Sequence, residues 1–238
     1  MFKLLSTANP KIQKGTRLGY LSFILHLAPA DLSGRETCPK RTVGCTAACL
    51  NTAGRGGMFK RGESTNVIQQ ARVRKTQYFF NDRVSFFNDL TQDIHKGIAM
   101  AKKLGLKPVF RLNGTSDLSW EKYQVADTGL NIFQMFPEVQ FYDYTKVLGR
   151  KVAYDNYFLI FSQADGNEAD VNRAIAQGMN VATVFDQVPD SYKGRPVIDA
   201  DETDLRFLDP KGVIAGLKAK GRAKKDLSGF VIRLKEAA

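Results

Sequence analysis

Short apolar runs recur along the chain, and polar segments separate them. The first run, LSFILHL, is bounded by Pro29 and predicts a buried strand within residues 20–27. The runs have the length of strands rather than of helices. Five further runs predict strands at residues 109–112, 139–144, 157–162, 181–185 and 213–217.

Helical periodicity lies between these runs. The cluster Ser64-Thr65-Asn66 is a typical helix N-cap, and apolar residues at steps of three and four follow it as far as Leu104. This pattern predicts a helix in two pieces, broken around Asn81-Asp82. A short helical segment is expected within residues 118–135, and another helix over residues 167–178, where a glycine provides the C-cap.

The alternation of strands and helices predicts an α/β fold with a parallel sheet and helical crossovers. Six βα units are too few for an eight-stranded barrel, so we expect a partial (βα)6 TIM-like barrel or an open doubly wound sheet. Residues 1–19 are polar and basic, which favours an N-terminal arm or an added edge element. Residues 20–238 are expected to form a single α/β domain, with a long loop at residues 30–57 after the first strand.

Polar residues gather at the predicted carboxyl ends of the strands. In parallel βα folds the functional face lies at these ends, so the residues there are expected to meet at one mouth. An acidic loop at residues 199–206 precedes the sixth strand. The second strand is followed by Arg111, Asn113, Gly114, Thr115 and Asp117, the third by Tyr144 and Lys146, and the fourth and fifth end in Ser162 and Asp186.

The composition fits a globular protein and carries a large positive charge. Apolar residues make up 43% of the chain, which suffices for a sizeable core. The chain has no run of about 18 apolar residues and no signal-peptide pattern, so a cytoplasmic protein that does not enter the membrane is expected. The net charge of +11 favours a polyanionic partner, nucleic acid first. The densest basic run comprises Lys218, Lys220, Arg222, Lys224 and Lys225.

The three cysteines all lie within residues 38–49, in the loop after the first strand. Clustered thiols in a reducing compartment are more often ligands or catalytic groups than disulfides. A structural zinc site normally has four Cys or His ligands, and a nucleophilic cysteine would want a partner base such as histidine. Buried cysteines that only fill the core are a further alternative. A [4Fe–4S] cluster bound by Cys38, Cys45 and Cys49 would keep one iron open for a substrate or cofactor.

Several motifs together resemble a known family. The segments CPKRTVGCTAACLNTAGRG, VFRLNGTSDLSW, FYDYTK and VIDADETDLRFLDPKGVIAGLKAKG are similar to those of the "gene product 88" family of phage and plasmid genomes, over roughly residues 20–230. This resemblance implies a phage-encoded protein in the host cytoplasm.

The cysteine loop also resembles that of the radical S-adenosylmethionine superfamily. Enzymes of that superfamily have a partial (βα)6 barrel whose first strand is followed by a three-cysteine loop that holds a [4Fe–4S] cluster. Their usual spacing is CxxxCxxC, whereas the spacing here is Cx6Cx3C. The resemblance implies a [4Fe–4S] cluster on Cys38, Cys45 and Cys49, S-adenosylmethionine as cofactor and an electron donor as partner.

The same resemblance assigns roles to the residues at the strand ends. Asn113, Gly114 and Thr115 stand where the superfamily has a glycine-rich cofactor motif, with Asp117 or Glu121 as the acidic residue, and Ser162 matches a cofactor-contacting position. The groups on the substrate side would be Arg111, Tyr144, Lys146 and Asp186.

Two functional hypotheses follow. In the first, the chain is an iron–sulfur protein, either a radical S-adenosylmethionine-type enzyme or a degenerate relative. In the second, it is a non-enzymatic nucleic-acid-binding protein whose cysteines hold a structural metal.

Overall fold

A computed structural model describes residues 3–7, 14–52, 66–150 and 152–234, and its centre is a ten-stranded, mostly parallel sheet. The strands are β1 (Leu5–Ser6), β2 (Tyr20–Leu25), β3 (Lys107–Arg111), β4 (Gln140–Thr145), β5 (Tyr157–Ser162), β6 (Val181–Phe185), β7 (Ser191–Tyr192), β8 (Arg195–Asp199), β9 (Ile214–Lys218) and β10 (Val231–Ile232). The α-helices are α1 (Val43–Ala47), α2 (Val67–Asn81), α3 (Arg83–Lys103), α4 (Ile132–Met135) and α5 (Glu168–Ala176).

The strand order confirms the predicted α/β sheet. It runs β1-β2-β3-β4-β5-β6-β9-β8-β7, so the six strands expected from the apolar runs are neighbours in chain order. All neighbours from β2 to β8 along this path pair in parallel, whereas β1 and β7 add antiparallel edges. The carboxyl ends of these strands therefore share one edge of the sheet. The curvature of a partial barrel stays a prediction.

The break in the predicted long helix occurs at Asp82. This residue ends α2 and caps α3, because its carboxylate accepts a hydrogen bond from the backbone N–H of Ser85 (3.1 Å). Asn66 caps α2 in the same way, with Gln69 as the donor (3.0 Å). The other two residues of the predicted N-cap cluster, Ser64 and Thr65, lie outside the described residues.

The two faces of the sheet have different coverings. On one face, Phe23, Phe110 and Phe141 stand on adjacent strands at the same level and pack against side chains of α2 and α3, Phe79 and Leu90 among them. On the other face, β4, β5, β6 and β9 pack against residues of the 200–208 segment. The acidic loop predicted at residues 199–206 is therefore part of a segment that packs over this face of the sheet.

The structure differs from the sequence prediction where elements are short. The loop at residues 30–57 contains the five-residue helix α1 and a single 3-10 turn, Leu50–Thr52, and its residues 53–57 lie outside the described part. The described residues between β4 and β5 contain no helix, although a helical crossover was expected there. Short elements stabilised by distant contacts carry too few residues for a periodic pattern.

Strand β10 enters the sheet where β5 has already ended. Strand β5 pairs with β6 at Val181 and Ala182, and β10 pairs with the next part of β6, at Val184 and Phe185. Since β9 pairs with the whole of β6 on its other edge, β10 continues the edge that β5 leaves. The segment around β10 consequently reaches the carboxyl edge of the sheet, where the cysteines lie.

Candidate functional site

The three cysteines come together in the structure. Cys38, Cys45 and Cys49 line one cavity of about 30 Å³, which also touches Pro29, Ala30, Arg41, Thr46 and Asn51. All three are half-buried free thiols without a disulfide. The cysteine loop follows the first parallel strand, as predicted; that it forms a functional site stays a prediction.

Cys45 is positioned by a carboxylate from the loop after β5. Thr42 caps α1 and accepts a hydrogen bond from the backbone N–H of Cys45 (3.1 Å). The carboxylate of Asp165 accepts from the N–H groups of Gly44 (3.0 Å) and Cys45 (3.1 Å) and from the Thr42 hydroxyl. These bonds satisfy backbone donors that a helix start leaves without partners.

Gly44 explains how α1 fits against its neighbours. A Cβ atom at this position would lie 1.9 Å from Oγ of Ser228 and 2.6 Å from Oδ1 of Asp165. Both distances are far below van der Waals contact, so a side chain at this position would have to displace Ser228 or Asp165. The segment that contains Ser228 therefore packs closely against α1, the helix that carries Cys45.

Burial shifts the thiols of Cys38 and Cys49 towards their protonated form. Burial raises the pKa of Cys38 to about 11. The hydrogen bond that its sulfur accepts from the backbone N–H of Ala30 (3.4 Å) partly offsets this rise. The Cys38 thiol also approaches the carbonyl oxygen of Thr115 (3.9 Å). Burial likewise raises the pKa of Cys49, whose sulfur accepts from the N–H of Asn51 (3.5 Å).

Besides Arg41, two further cations lie near the thiols. Lys146, which follows β4, lies close enough to Cys45 for the thiolate to raise its pKa, and its Nζ lies 3.4 Å from Oγ of Ser162. Burial opposes the charge of Lys146, but Cys45 and Asp117 outweigh it and raise its pKa. On the other side, Arg72 of α2 donates to the Asn51 side chain and lies close enough to oppose the rise in the pKa of Cys49.

The residues that follow β3 are used within the fold. The Asn113 side chain donates to Asp143 and to the Leu118 carbonyl, and it accepts from Ser116, Trp120 and the Leu118 N–H. A Cβ on Gly114 would lie 2.7 Å from the carbonyl of Leu25 in β2.

The other two residues of this segment tie the cysteine region to the sheet. Thr115 donates to the Leu27 carbonyl (2.5 Å), and Asp117 accepts from the backbone N–H of Lys146 (2.8 Å). A role for Asn113, Gly114, Thr115 and Asp117 in cofactor binding stays a prediction.

The predicted substrate-side residues and the predicted cofactor contact Ser162 divide into separate groups. Lys146 lies near the thiols, and Ser162 lies next to Lys146. Arg111 and Tyr144 both bind Asp204, by an ion pair of 2.7 Å and a hydrogen bond of 3.2 Å. Asp186 lies at the end of β6 and faces Arg233 at 3.6 Å. The structure thus brings only Lys146 and Ser162 of these residues into described contact with the thiol region.

A larger groove adjoins the cavity. It has a volume of about 520 Å³ and is lined by Glu36, Pro39, Arg41, Thr42, Val43, Thr46 and Ala47. Arg41 and Thr46 line both the groove and the cysteine cavity, so they form the partition between the two. Arg41 is held by Asp31 (3.0 Å) and Glu36 (2.8 Å).

The sequence pattern gives little indication of the groups that position the thiols. Asp165 occurs in an ordinary turn sequence, and Ser228 lies 179 positions after Cys49. Arg41 could have been suspected only because it falls between the first two cysteines. In this packing, no group of three or more Cys, His, Asp or Glu side chains among the described residues is arranged to hold a metal ion. Within the same residues, no helix is both long and apolar enough to cross a membrane.

The fold and site define a mixed α/β protein with a three-thiol cavity at the carboxyl edge of a mostly parallel sheet. The chain belongs to the gene product 88 family, whose model matches residues 3–234. No curated protein and no solved structure matches it.

Proposed function

We propose that the chain is an iron–sulfur protein in which Cys38, Cys45 and Cys49 supply three thiolate ligands to a [4Fe–4S] cluster. The observation that supports this proposal is the convergence of all three cysteines of the chain on one cavity. Thiolate is the usual ligand of such clusters. The location agrees with the general position of functional groups in parallel α/β sheets.

The three thiols are suitable ligands for a cluster, but the cavity that they line is too small to hold one. A volume of about 30 Å³ corresponds to roughly one water molecule, which is too small for a cluster of eight atoms. The groove behind Arg41 and Thr46 offers about 520 Å³. A displacement of the Arg41 side chain would join the two spaces, so we propose that cluster binding is accompanied by this movement.

Proton release is expected to accompany binding. A ligand thiol must lose its proton, and the pKa of Cys38 is about 11 when the site holds no metal. Metal affinity should therefore rise with pH through the neutral range. Lys146 and Arg72 supply positive charge that offsets the thiolates once they form.

A bound cluster would supply an electron and one open iron for a small molecule such as S-adenosylmethionine. The residues of this chain that would lie next to such a molecule are Lys146, whose ammonium group would supply hydrogen-bond donors and positive charge, and Ser162, its hydroxyl partner. Arg111 and Tyr144 would become available to a substrate only if their bonds to Asp204 were broken. We therefore propose Lys146 and Ser162 as the primary groups at the site.

Anaerobic reconstitution with iron and sulfide tests the proposal. We expect a brown protein with about four irons per chain and a broad absorption band in the visible region, and a variant with all three cysteines changed to serine should remain colourless. Metal analysis of the protein as isolated completes the test. Stoichiometric zinc that iron cannot replace, or a colourless wild-type protein, would show that the site is not an iron–sulfur site.

A further inference from the structure

The basic run near the end of the sheet forms an ordered turn. Residues Gly221–Lys225 form a 3-10 helix whose Ala223 is buried against Ala48 and Ala219. Arg233 donates hydrogen bonds to the backbone carbonyls of Lys224 and Asp226, both at 3.2 Å. Basic side chains on this turn are therefore presented by a fixed backbone, which reduces the entropy lost when they bind a ligand.

Most of the basic side chains on this surface form no ion pair with an acidic side chain of the described residues. The side chains of Lys218, Arg222, Lys224 and Lys225 are exposed, and none has an ion pair within the part of the chain that the structure describes. Lys220, by contrast, is paired with Asp201 (2.6 Å). The acidic residue that follows, Asp226, makes no ion pair with these four side chains in the described part of the chain; its carboxylate accepts hydrogen bonds from Ser228 and Val231.

The spacing of the charges suits a chain of phosphates. Arg222 and Lys225 are three residues apart, so they lie on one line of the 3-10 helix, about 6 Å along its axis. Each strand of a DNA duplex presents a phosphate about every 3.4 Å along the helix axis. The distance between Arg222 and Lys225 therefore spans about two phosphates. Lys224 lies beside this line, and Lys218 precedes the turn at the end of β9.

We propose that Lys218, Arg222, Lys224 and Lys225 form a contact surface for the sugar–phosphate backbone of a nucleic acid. This inference does not depend on the proposed cluster. A lipid surface fits less well, because membrane binding also requires an apolar face, and the inward residue of the turn, Ala223, is buried in the protein. One exposed apolar residue, Leu227, adjoins the turn, and it distinguishes the two ligands.

Fluorescence anisotropy with labelled 20-nucleotide duplex DNA and single-stranded RNA, between 50 and 200 mM salt, tests the surface. The wild type should bind with a steep dependence of log affinity on log salt. The triple variant R222Q/K224Q/K225Q should bind at least tenfold more weakly at 100 mM salt, and its salt slope for duplex DNA should fall by about 2.7, or about 0.9 for each lost phosphate contact.

The variant K102Q/K103Q/K122Q removes the same charge from exposed positions elsewhere and should bind like the wild type. Equal losses in the two triple variants would mean that only the overall charge matters, and would overturn the proposal. Undetectable binding of the wild type at 50 mM salt would do so as well. The variant L227S should bind nucleic acid normally; preferential binding to anionic lipid vesicles that L227S abolishes would assign the surface to membranes instead.

Discussion

At the scale of single residues, the closest approach around the cysteine site is that at Gly44. We predict that Gly44→Ala lowers the free energy of unfolding by about 1–3 kcal/mol, because the added methyl group must displace Ser228 or Asp165. Urea denaturation followed by circular dichroism measures the change. Gly15→Ala is the matched control, since its Cβ would lie at an ordinary contact distance of 3.6 Å from Leu205. Equal stability of the two variants would contradict the packing described for Gly44.

His26 gives a pH-dependent prediction. Burial, with help from Arg72, Arg111 and Lys75 and against the effect of Asp204, lowers its pKa to about 3. The unfolded chain takes up a proton near pH 6.5 and the folded chain does not, so His26 lowers stability as the pH falls from about 6.5 towards 3. His26→Gln should remove this component. Unfolding measured from pH 7 to pH 4 should show a shallower loss in the variant; parallel curves would refute the assignment.

Arg41 is predicted to control access to the thiols. Arg41→Ala removes part of the partition between the cavity and the groove, so cluster incorporation should become several-fold faster under the same anaerobic conditions. Arg17→Ala, at an exposed position elsewhere, is the control for the loss of charge. The growth of visible absorbance with time gives the rates. An unchanged rate in Arg41→Ala would mean that the cavity opens by another route.

At the scale of elements, α1 depends on a residue that the sequence pattern does not mark. We predict that Asp165→Ala leaves the N–H groups of Gly44 and Cys45 without this acceptor, destabilises the protein by about 1–3 kcal/mol and makes Cys45 react faster with a thiol reagent. Asp170→Ala, which removes a surface ion pair with Arg173 and one acidic residue from the first turn of α5, should have a smaller effect on stability and none on Cys45 labelling. Similar labelling rates in the two variants would argue against the capping role.

The same contrast between local and distant causes explains what the sequence could predict. The six main strands were predicted to within about two residues because each is a short, mostly apolar segment between two covered faces, and Asp82 ends a helix by a local hydrogen bond. Helix α1 and β10 could not be predicted, because Asp165 and β6, which hold them, are far away in the chain. For the site, the sequence shows that the thiols are clustered, but it does not show which distant residues pack around them.

At the scale of the whole molecule, the elements that carry the two proposed sites are in contact. The turn that carries Arg222, Lys224 and Lys225 packs its Ala223 against Ala48, which directly precedes Cys49. We predict that cluster loading changes the affinity for nucleic acid by about fivefold or more, within the usual range of coupling between sites. Anisotropy titrations of loaded and metal-free protein measure the effect, and the variant with all three cysteines changed to serine should show none. Identical affinities would mean that the contact between Ala223 and Ala48 does not couple cluster binding to nucleic-acid binding.

The pairing of β10 with β6 also sets an order of events during synthesis. Val231 follows Cys49 by 182 positions, which takes a ribosome roughly 10 to 40 s at typical speeds. For that interval the thiols have emerged before the segment that packs against Ala48, next to Cys49, has been made. A newly made chain therefore passes through a period in which its cysteine loop lacks one of its packing partners, and this period ends when β10 docks.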